Sequence, residues 1–274
     1  MLERELRAAE HIARTAGAIV MELYEAHYEV AYKTQFDPVT DADTRANAYI
    51  VQALRDGFAG DGIVAEESDD QSDALKGGRC WYVDPLDGTK EFIAKNGEFA
   101  VMLGLAIDGE ASLGVVYQPV RDRLYSGALD QGAVLEEGGS RQQLTVSSIE
   151  DPSALSLVVS RSHRGEPIDD VKDQLRLTKE TQSGSVGLKI GLIAQKKADL
   201  YVHMSNKSSL WDACGPEAIL RAAGGRFTDL GGRPYRYGGT EMRNERGILA
   251  CNARAFDAVL PVVQAVAQLV GLVG

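Results

Sequence analysis

The chain has 274 residues, room for one large domain or two smaller ones with ample surface to bury. Its 44% hydrophobic and 25% charged residues are those of a soluble globular protein. A net charge of −11 argues against a nucleic-acid polymer as partner, because no basic stripe is available to displace counterions; a phosphate-ester substrate would need bound cations to supply the missing positive charge.

The start, MLERELRAAEHIARTAG, reads as a charged helix rather than a signal peptide. Over residues 3–26, Leu6, Ala9, Ala13, Ala16, Ile19, Val20 and Leu23 share one helical face. The short strand YEVAYKT then leads into the loop QFDPVTDAD, and a second helix from about Thr44 to Phe58 buries Ile50 and Leu54. Two short apolar runs follow, GIVA and CWYV, and each ends in acidic residues. From Phe99 to Leu135 the pattern is strand–turn–strand: FAVMLGLAI, the turn Asp108-Gly109-Glu110, LGVVY and further short strands.

After about residue 150 strands and helices alternate: SLVVS, a helix near 167–177, a strand ending at TQSGS, a helix over 186–197, DLYVHM, a helix over 213–223, and GILAC. A last helix starts near Ala253, in an apolar tail too short and too interrupted to span a bilayer. The expectation is an antiparallel-rich α+β half, residues 1–150, and a more α/β half, residues 151–274, packed as one body without a linker or repeat. Cys80, Cys214 and Cys251 are odd in number and widely spaced, which fits neither a zinc site nor a disulfide framework. Reduced, buried thiols in a cytoplasmic protein are expected.

Acidic residues recur where a strand or helix begins or ends: Asp43 after DPVTDA, Glu66-Glu67 after GIVA, Asp84 and Asp87 in VDPLDGT, and Asp212 in LWDACGPEAIL. Each has a plain structural explanation. Asp43 suits a first-turn dipole carboxylate, Asp212 an N-cap for the helix that Gly224 ends, Asp84-Pro85-Leu86-Asp87-Gly88 a turn, and residues 66–70 a solvated acidic loop. Those explanations leave the recurrence unaccounted for. Strand ends are where an open sheet presents its functional groups, and no matching basic residues accompany these acids.

If Glu66, Asp84, Asp87 and Asp212 converge, divalent cations must lie between them. Oxygen ligands without His or Cys point to Mg²⁺, with Mn²⁺ possible, rather than zinc. Pro85 would then fix a turn that lets Asp84 and Asp87 face one ion cluster beside the Leu86 carbonyl. Gly88 would let the backbone approach a phosphate oxygen, with its N–H and that of Thr89 as donors. Thr89 would hold the attacking water and pass its proton toward Asp43, the layout of metal-assisted phosphate monoester hydrolysis. A haloacid-dehalogenase reading needs D-x-D-G, and the extra residue here moves the second aspartate off the required face. SGSVGLK matches neither nucleotide-binding fingerprint.

The segments DPVTDAD, VAEES, VDPLDGT, SGSVGL and WDACGPEAIL, in this order and approximate spacing, resemble the inositol monophosphatase-like family of Mg²⁺-dependent, lithium-sensitive phosphatases. The resemblance covers nearly the whole chain. It implies a layered α-β-α-β-α sandwich of the inositol monophosphatase and fructose-1,6-bisphosphatase type, two or three bound Mg²⁺ ions and a homodimer. By position, Glu66, Asp84, the Leu86 carbonyl, Asp87 and Asp212 would bind metal. Asp43, Glu66 and Thr89 would be catalytic, and Gly88 and Thr89 would hold the phosphate.

DGTKEF, NGEFAVMLGLA and SRSH resemble the 3′(2′),5′-bisphosphate nucleotidase branch, whereas SGSVGL is closer to the inositol-phosphatase pattern. The substrate expected is adenosine 3′,5′-bisphosphate, losing its 3′-phosphate, with inositol-1-phosphate or a sugar phosphate as the alternative. A bisphosphate needs donors for its second phosphate; Lys189, His163 with Ser160, and His203 or Lys207 are the candidates. Asp87, Ser185 and Asp212 complete the expected substrate contacts. A catalytically silent metal- or phosphate-binding protein is the reading from a different class, although every acidic ligand position and Thr89 are filled.

Overall fold

The computed structural model describes residues 2–26, 30–34, 37–68, 78–238 and 242–273. Helix α1 (Glu3–Glu25) leads to an antiparallel ribbon, β1 (Val30–Thr34) and β2 (Asp37–Thr40), and then to helix α2 (Asp41–Gly57). Strands β3 (Gly62–Ala65) and β4 (Arg79–Asp87), the short helix α3 (Thr89–Ile93), and β5 (Ala100–Ile107), β6 (Glu110–Gln118), β7 (Arg123–Ala128), β8 (Gly132–Glu137) and β9 (Ser140–Leu144) follow. The second part runs β10 (Ser156–Ser160), α4 (Pro167–Leu175), β11 (Lys179–Ser183), α5 (Val186–Ala194), β12 (Leu200–His203), β13 (Ser208–Ser209) and α6 (Leu210–Ala222). It ends with β14 (Gly225–Thr228), β15 (Arg243–Asn244), β16 (Ile248–Asn252) and α7 (Phe256–Leu269).

Strands β3 to β9 form one seven-stranded sheet in sequence order, antiparallel except for the parallel pair β3–β4. The second sheet has the order β11-β10-β12-β16-β14, parallel on the β11-β10-β12 side and antiparallel beyond it. Residues of alternating parity explain why both faces of β4 and β5 are apolar. Trp81, Val83, Val101, Leu103 and Leu105 pack against Leu6, Ile12 and Val20 of α1 and Ile50 and Leu54 of α2. Tyr82 on the opposite face packs with Ile190 and Ile193 of α5 and Ala213 and Cys214 of α6, a cluster that also takes in Val158, Tyr201 and Ala250 of the second sheet. The outer face of that sheet is covered by Val171 of α4 and Phe256, Val259 and Val263 of α7. The layers are therefore helix, sheet, helix, sheet, helix, as the resemblance implies. All three cysteines are buried and free, and no helix among the described residues is long and apolar enough to cross a membrane.

The middle helices lie very close to the large sheet. A Cβ on Gly114 would stand 2.0 Å from the Gly215 carbonyl oxygen, one on Gly104 2.4 Å from the Gly215 nitrogen, and one on Gly215 2.6 Å from the Leu103 oxygen. Backbone meets backbone here, so nothing flexible can yield.

Some boundaries differ from the sequence expectation. Helix α2 begins at Asp41 because Thr40 and Asp43 form a capping box. Asp37–Thr40 is a strand where a loop was expected, and α6 starts at Leu210, capped by Ser209 with Asp212 at its third position rather than as the cap. Residues 28, 29, 35, 36, 69 and 70 of the expected strand and loops lie outside the described residues.

Two outcomes follow from this packing. Gly114→Ala should lower the urea-unfolding free energy by about 3 kcal/mol, since the overlap is with backbone. Gly60→Ala, where a Cβ meets nothing within 4 Å, should leave it unchanged or raise it by up to ~1 kcal/mol. Equal effects would remove the close-approach explanation.

Glu217 on α6 is 2% exposed, and burial pushes its carboxyl up to about 7 despite the Tyr237 hydroxyl at 2.6 Å and Arg221. The folded state then holds a proton that the unfolded chain has released above ~4.5, so stability is lost as pH rises from about 5 through 7. Between pH 5 and pH 8, Glu217→Gln should gain up to about 3 kcal/mol relative to the parent in urea titrations. A pH-independent difference would mean that Glu217 stays charged when folded.

Candidate active site

Parallel pairing sets Ala65 beside Val83, so Glu66 and Asp84 leave adjacent strands at the same end; the Glu66 N–H donates to the Val83 carbonyl at 3.0 Å. Strand β4 does not stop at Asp84. It pairs Asp84 with Met102 and Asp87 with Ala100, two intervening residues against one, so Pro85 and Leu86 form a bulge rather than the expected turn. In a regular strand residues three apart face opposite sides. The extra residue brings Asp84 and Asp87 to the same side, toward α5 and α6, while Leu86 packs into the core under α1 and α2.

Each aspartate is aimed by a backbone N–H on one oxygen. Asp84 Oδ1 accepts from Leu86 N at 2.9 Å, Asp87 Oδ2 from Gly187 N at 3.1 Å and from Ser185 Oγ at 2.5 Å, and Asp212 Oδ2 from Ser209 N at 2.6 Å. Asp43 Oδ2 accepts from Thr40 N at 2.8 Å and from Thr40 Oγ1 at 2.7 Å. Its other oxygen, Oδ1, faces Thr89 Oγ1 at 3.1 Å, and that hydroxyl is also 3.3 Å from the Leu86 carbonyl oxygen. Gly88 starts α3 with φ +102°, where a Cβ would sit 3.1 Å from the Glu98 carbonyl oxygen; only glycine suits that corner.

Asp84 is 2% exposed, and burial followed by the charges of Glu66, Asp87 and Asp212 pushes its carboxyl well above the usual range. Asp212 is raised well above it by burial, Glu66 and Asp87. Asp87 is raised by burial against the opposing pull of Lys189 and Ser185, and Asp43 by burial against its threonine hydrogen bonds. Asp84 and Asp212 lie close enough for their charges to act on one another, an arrangement that a proton or a cation between them would favour. Among the described residues no three His, Cys, Asp or Glu side chains already surround one ion position. The donor set nonetheless fits a hard divalent cation: carboxylate oxygens and a carbonyl, electrostatically linked, with one buried ammonium against four acids.

The structure brings Glu66, Asp84, Leu86, Asp87, Gly88, Thr89, Asp43 and Asp212 to one region, with Ser185 behind Asp87. Ser160 ends β10, and its hydroxyl accepts from the His163 N–H at 3.2 Å, a turn-forming bond that leaves the imidazole free to meet Lys90. Burial, then Lys90 and Lys189, hold the His163 pKa low, and burial brings His203 down to about 4. Lys189 departs from expectation. It is 2% exposed, and its ammonium donates to the carbonyls of Gly184 at 3.2 Å and Ser185 at 2.7 Å. Burial lowers its pKa to about 8, and its charge acts on Asp87, Glu91, Glu98 and Asp212. Placed there it is a buried counter-charge to those acids. Cys214 packs in the core.

Sequence reasoning passed over Thr40, Ser209, Glu98 and Lys90. The first two had a readable signal, since T-x-x-D at 40–43 and S-x-x-D at 209–212 are capping-box patterns. Glu98, which takes the Gly184 N–H at 2.7 Å and pairs with Arg161, had none.

Residues 1–268 match the model of the inositol monophosphatase family. The 3′(2′),5′-bisphosphate nucleotidase CysQ of Escherichia coli K12 is 37% identical over 231 residues, 82% of this chain and 91% of that protein. The crystal structure of CysQ from Bacteroides thetaiotaomicron superposes with a TM-score of 0.78 at 28% identity, over 92% of this chain and 97% of the other. The Thermotoga maritima IMPase shares the fold at 24% identity and a TM-score of 0.80, over 99% of this chain and 100% of the other. The chain belongs to the inositol monophosphatase family.

Proposed function

We propose that this protein is a Mg²⁺-dependent phosphomonoesterase that removes the 3′-phosphate of adenosine 3′,5′-bisphosphate. The observation that carries the reading is the group of buried aspartates at the β4 bulge and the start of α6, set beside the Thr89–Asp43 pair. The similarity to CysQ nucleotidases, at 36–38% identity over 82% of the chain, supports the choice of substrate.

Glu66, Asp84, Asp87, Asp212 and the Leu86 carbonyl would hold Mg²⁺. When bound, the metal supplies the positive charge that neutralises these acids and polarises the phosphate ester. The chain's own residues do the rest. Thr89 Oγ1 orients the attacking water and, as it takes the water's proton, passes its own to Asp43 Oδ1. Burial raises the Asp43 pKa, which makes it a better base for that step near neutrality. The N–H groups of Gly88 and Thr89 receive a phosphate oxygen at the bulge, where the absent Cβ of Gly88 leaves room. Ser185 and Gly187 fix Asp87, and Lys189 offsets part of the charge that collects there.

Phosphate release from adenosine 3′,5′-bisphosphate should require Mg²⁺, stop with EDTA, and proceed with a higher kcat/KM than release from inositol-1-phosphate. A ratio favouring inositol-1-phosphate would keep the phosphatase and change its substrate. Release that EDTA leaves unaltered would sink the metal mechanism, and no release from any small phosphate ester would favour a silent binding protein.

Asp84→Asn and Asp212→Asn each remove a ligand charge while retaining an oxygen for the anchoring N–H. Turnover and Mg²⁺ affinity should fall together, turnover by ~100-fold or more. Thermal stability without metal should hold or rise, because a like-charge cluster is relieved. Loss of folding with metal affinity retained would reduce both residues to turn and cap roles.

A further inference from the structure

Apart from the acidic site, the chain after α6 closes a second cavity. It holds about 270 Å³ and is lined by Gly231, Arg233, Arg246, Gln264, Gln268 and Val273, with room for a phosphate or sulfate group and part of what carries it. The arginines come from the turn after β14 and from the β15–β16 connection, and the glutamines from α7.

Both arginines are fixed at the backbone. The Arg233 N–H donates to Asp229 Oδ1 at 2.8 Å, and its carbonyl accepts from the Asp229 N–H at 2.9 Å. The Arg246 N–H donates to Asn244 Oδ1 at 3.2 Å, and its carbonyl accepts from the Leu230 N–H at 3.0 Å. Gln264 Nε2 ties α7 to the same wall by donating to the Gly231 carbonyl at 2.8 Å.

The guanidinium groups are less committed. Elsewhere in this acidic chain arginines sit between acids, Arg79 between Asp61 and Glu5, Arg164 between Asp169 and Glu180. Here the one carboxylate within 4 Å of either guanidinium, among the described residues, is Asp229. It stands 3.9 Å from Arg246, beyond hydrogen-bonding distance, and already accepts the Arg233 N–H. Two cations on a rigid frame, shared with one distant acid, lack an anion. Their planar forks suit a tetrahedral oxyanion, and the Gln268 amide on the same wall is a further donor.

We propose that this cavity binds a small ligand headed by a tetrahedral dianion, a phosphate or a sulfate, held between Arg233 and Arg246. The site is separate from the acidic one and does not rest on the nucleotidase reading. A dianion bound there bridges the turn after β14 to the β15–β16 connection beside α7, so it stabilises the folded chain by mass action.

The test uses the full chain in EDTA, where the acidic site without metal repels oxyanions. Roughly 20 mM sodium phosphate or sodium sulfate should raise the Tm by about 3 °C or more over sodium chloride of equal ionic strength. Arg233→Met and Arg246→Met should each lose most of that rise. Salts that stabilise by exclusion from the surface would raise parent and variants alike; that result would overturn the inference, as would no rise in the parent. Similar rises with both salts assign the cavity to tetrahedral dianions at large, and a rise with phosphate alone narrows it to phosphate. If a variant melts early even in chloride, calorimetric titration of phosphate below its melting range decides. Heat of binding in the parent that the folded variant lacks supports the site, and heat that the variant keeps overturns it.

Discussion

The structure depends on holding acids together that repel one another. Two unit charges ~4 Å apart at an effective dielectric of ~20 repel by about 4 kcal/mol, and here Asp84 faces Glu66, Asp87 and Asp212 at once. Such a set persists only where each carboxylate is fixed by something stronger than side-chain packing. Backbone N–H groups do this for Asp84, Asp87, Asp212 and Asp43, each on a single oxygen. The second oxygen of each remains for chemistry. The scaffold therefore uses hydrogen bonds to keep a charge arrangement that the proposed cation would relieve, so metal binding and acid burial would be two sides of one constraint.

Those N–H groups come from three kinds of local structure, and their relative positions rest on the middle layer of helices. Asp84 is anchored within its own bulge, Asp43 and Asp212 by capping boxes, and Asp87 by the start of α5. Helices α5 and α6 both begin at the site and run away from it between the two sheets. Gly104, Gly114 and Gly215 let α6 touch the large sheet backbone to backbone. This fixes the distance from Asp212 to the β4 acids more tightly than interdigitated side chains would, and reacting groups tolerate little misplacement.

The sequence was legible where chemistry and local pattern coincide. Acids at strand ends and the Thr89–Asp43 relation can be read from apolar runs and motif order, whereas the layer order came from the family resemblance. The β4 bulge was not, because Pro followed by Gly describes a turn and a bulge equally well; only the partner strand decides, and β5 lies a dozen residues away. The five-residue α3 is too short to leave a periodic signal. Thr40 and Ser209 were visible as capping patterns, yet a helix-terminus role (a first-turn carboxylate for Asp43, an N-cap for Asp212) and a part in the chemistry were treated as rival uses of one aspartate. In the structure the helix-terminus role occupies one oxygen and leaves the other for a second partner.

Lys189 and Lys90 show what sequence alone cannot weigh. Both are single lysines near an acidic motif, and composition cannot rank them. The small residues around the first, Gly187 and Gly191, let α5 press so closely on Met102, Val116 and Tyr125 that Lys189 is sealed beneath the site. There its charge is taken up by Asp87 and its neighbours, and by the π face of Tyr201 5.1 Å away. Lys90, on a half-open corner, has no such claims on it. Burial thus divides the scarce positive charge of this acidic chain into one ammonium that steadies the protein's own anions and another left half-exposed.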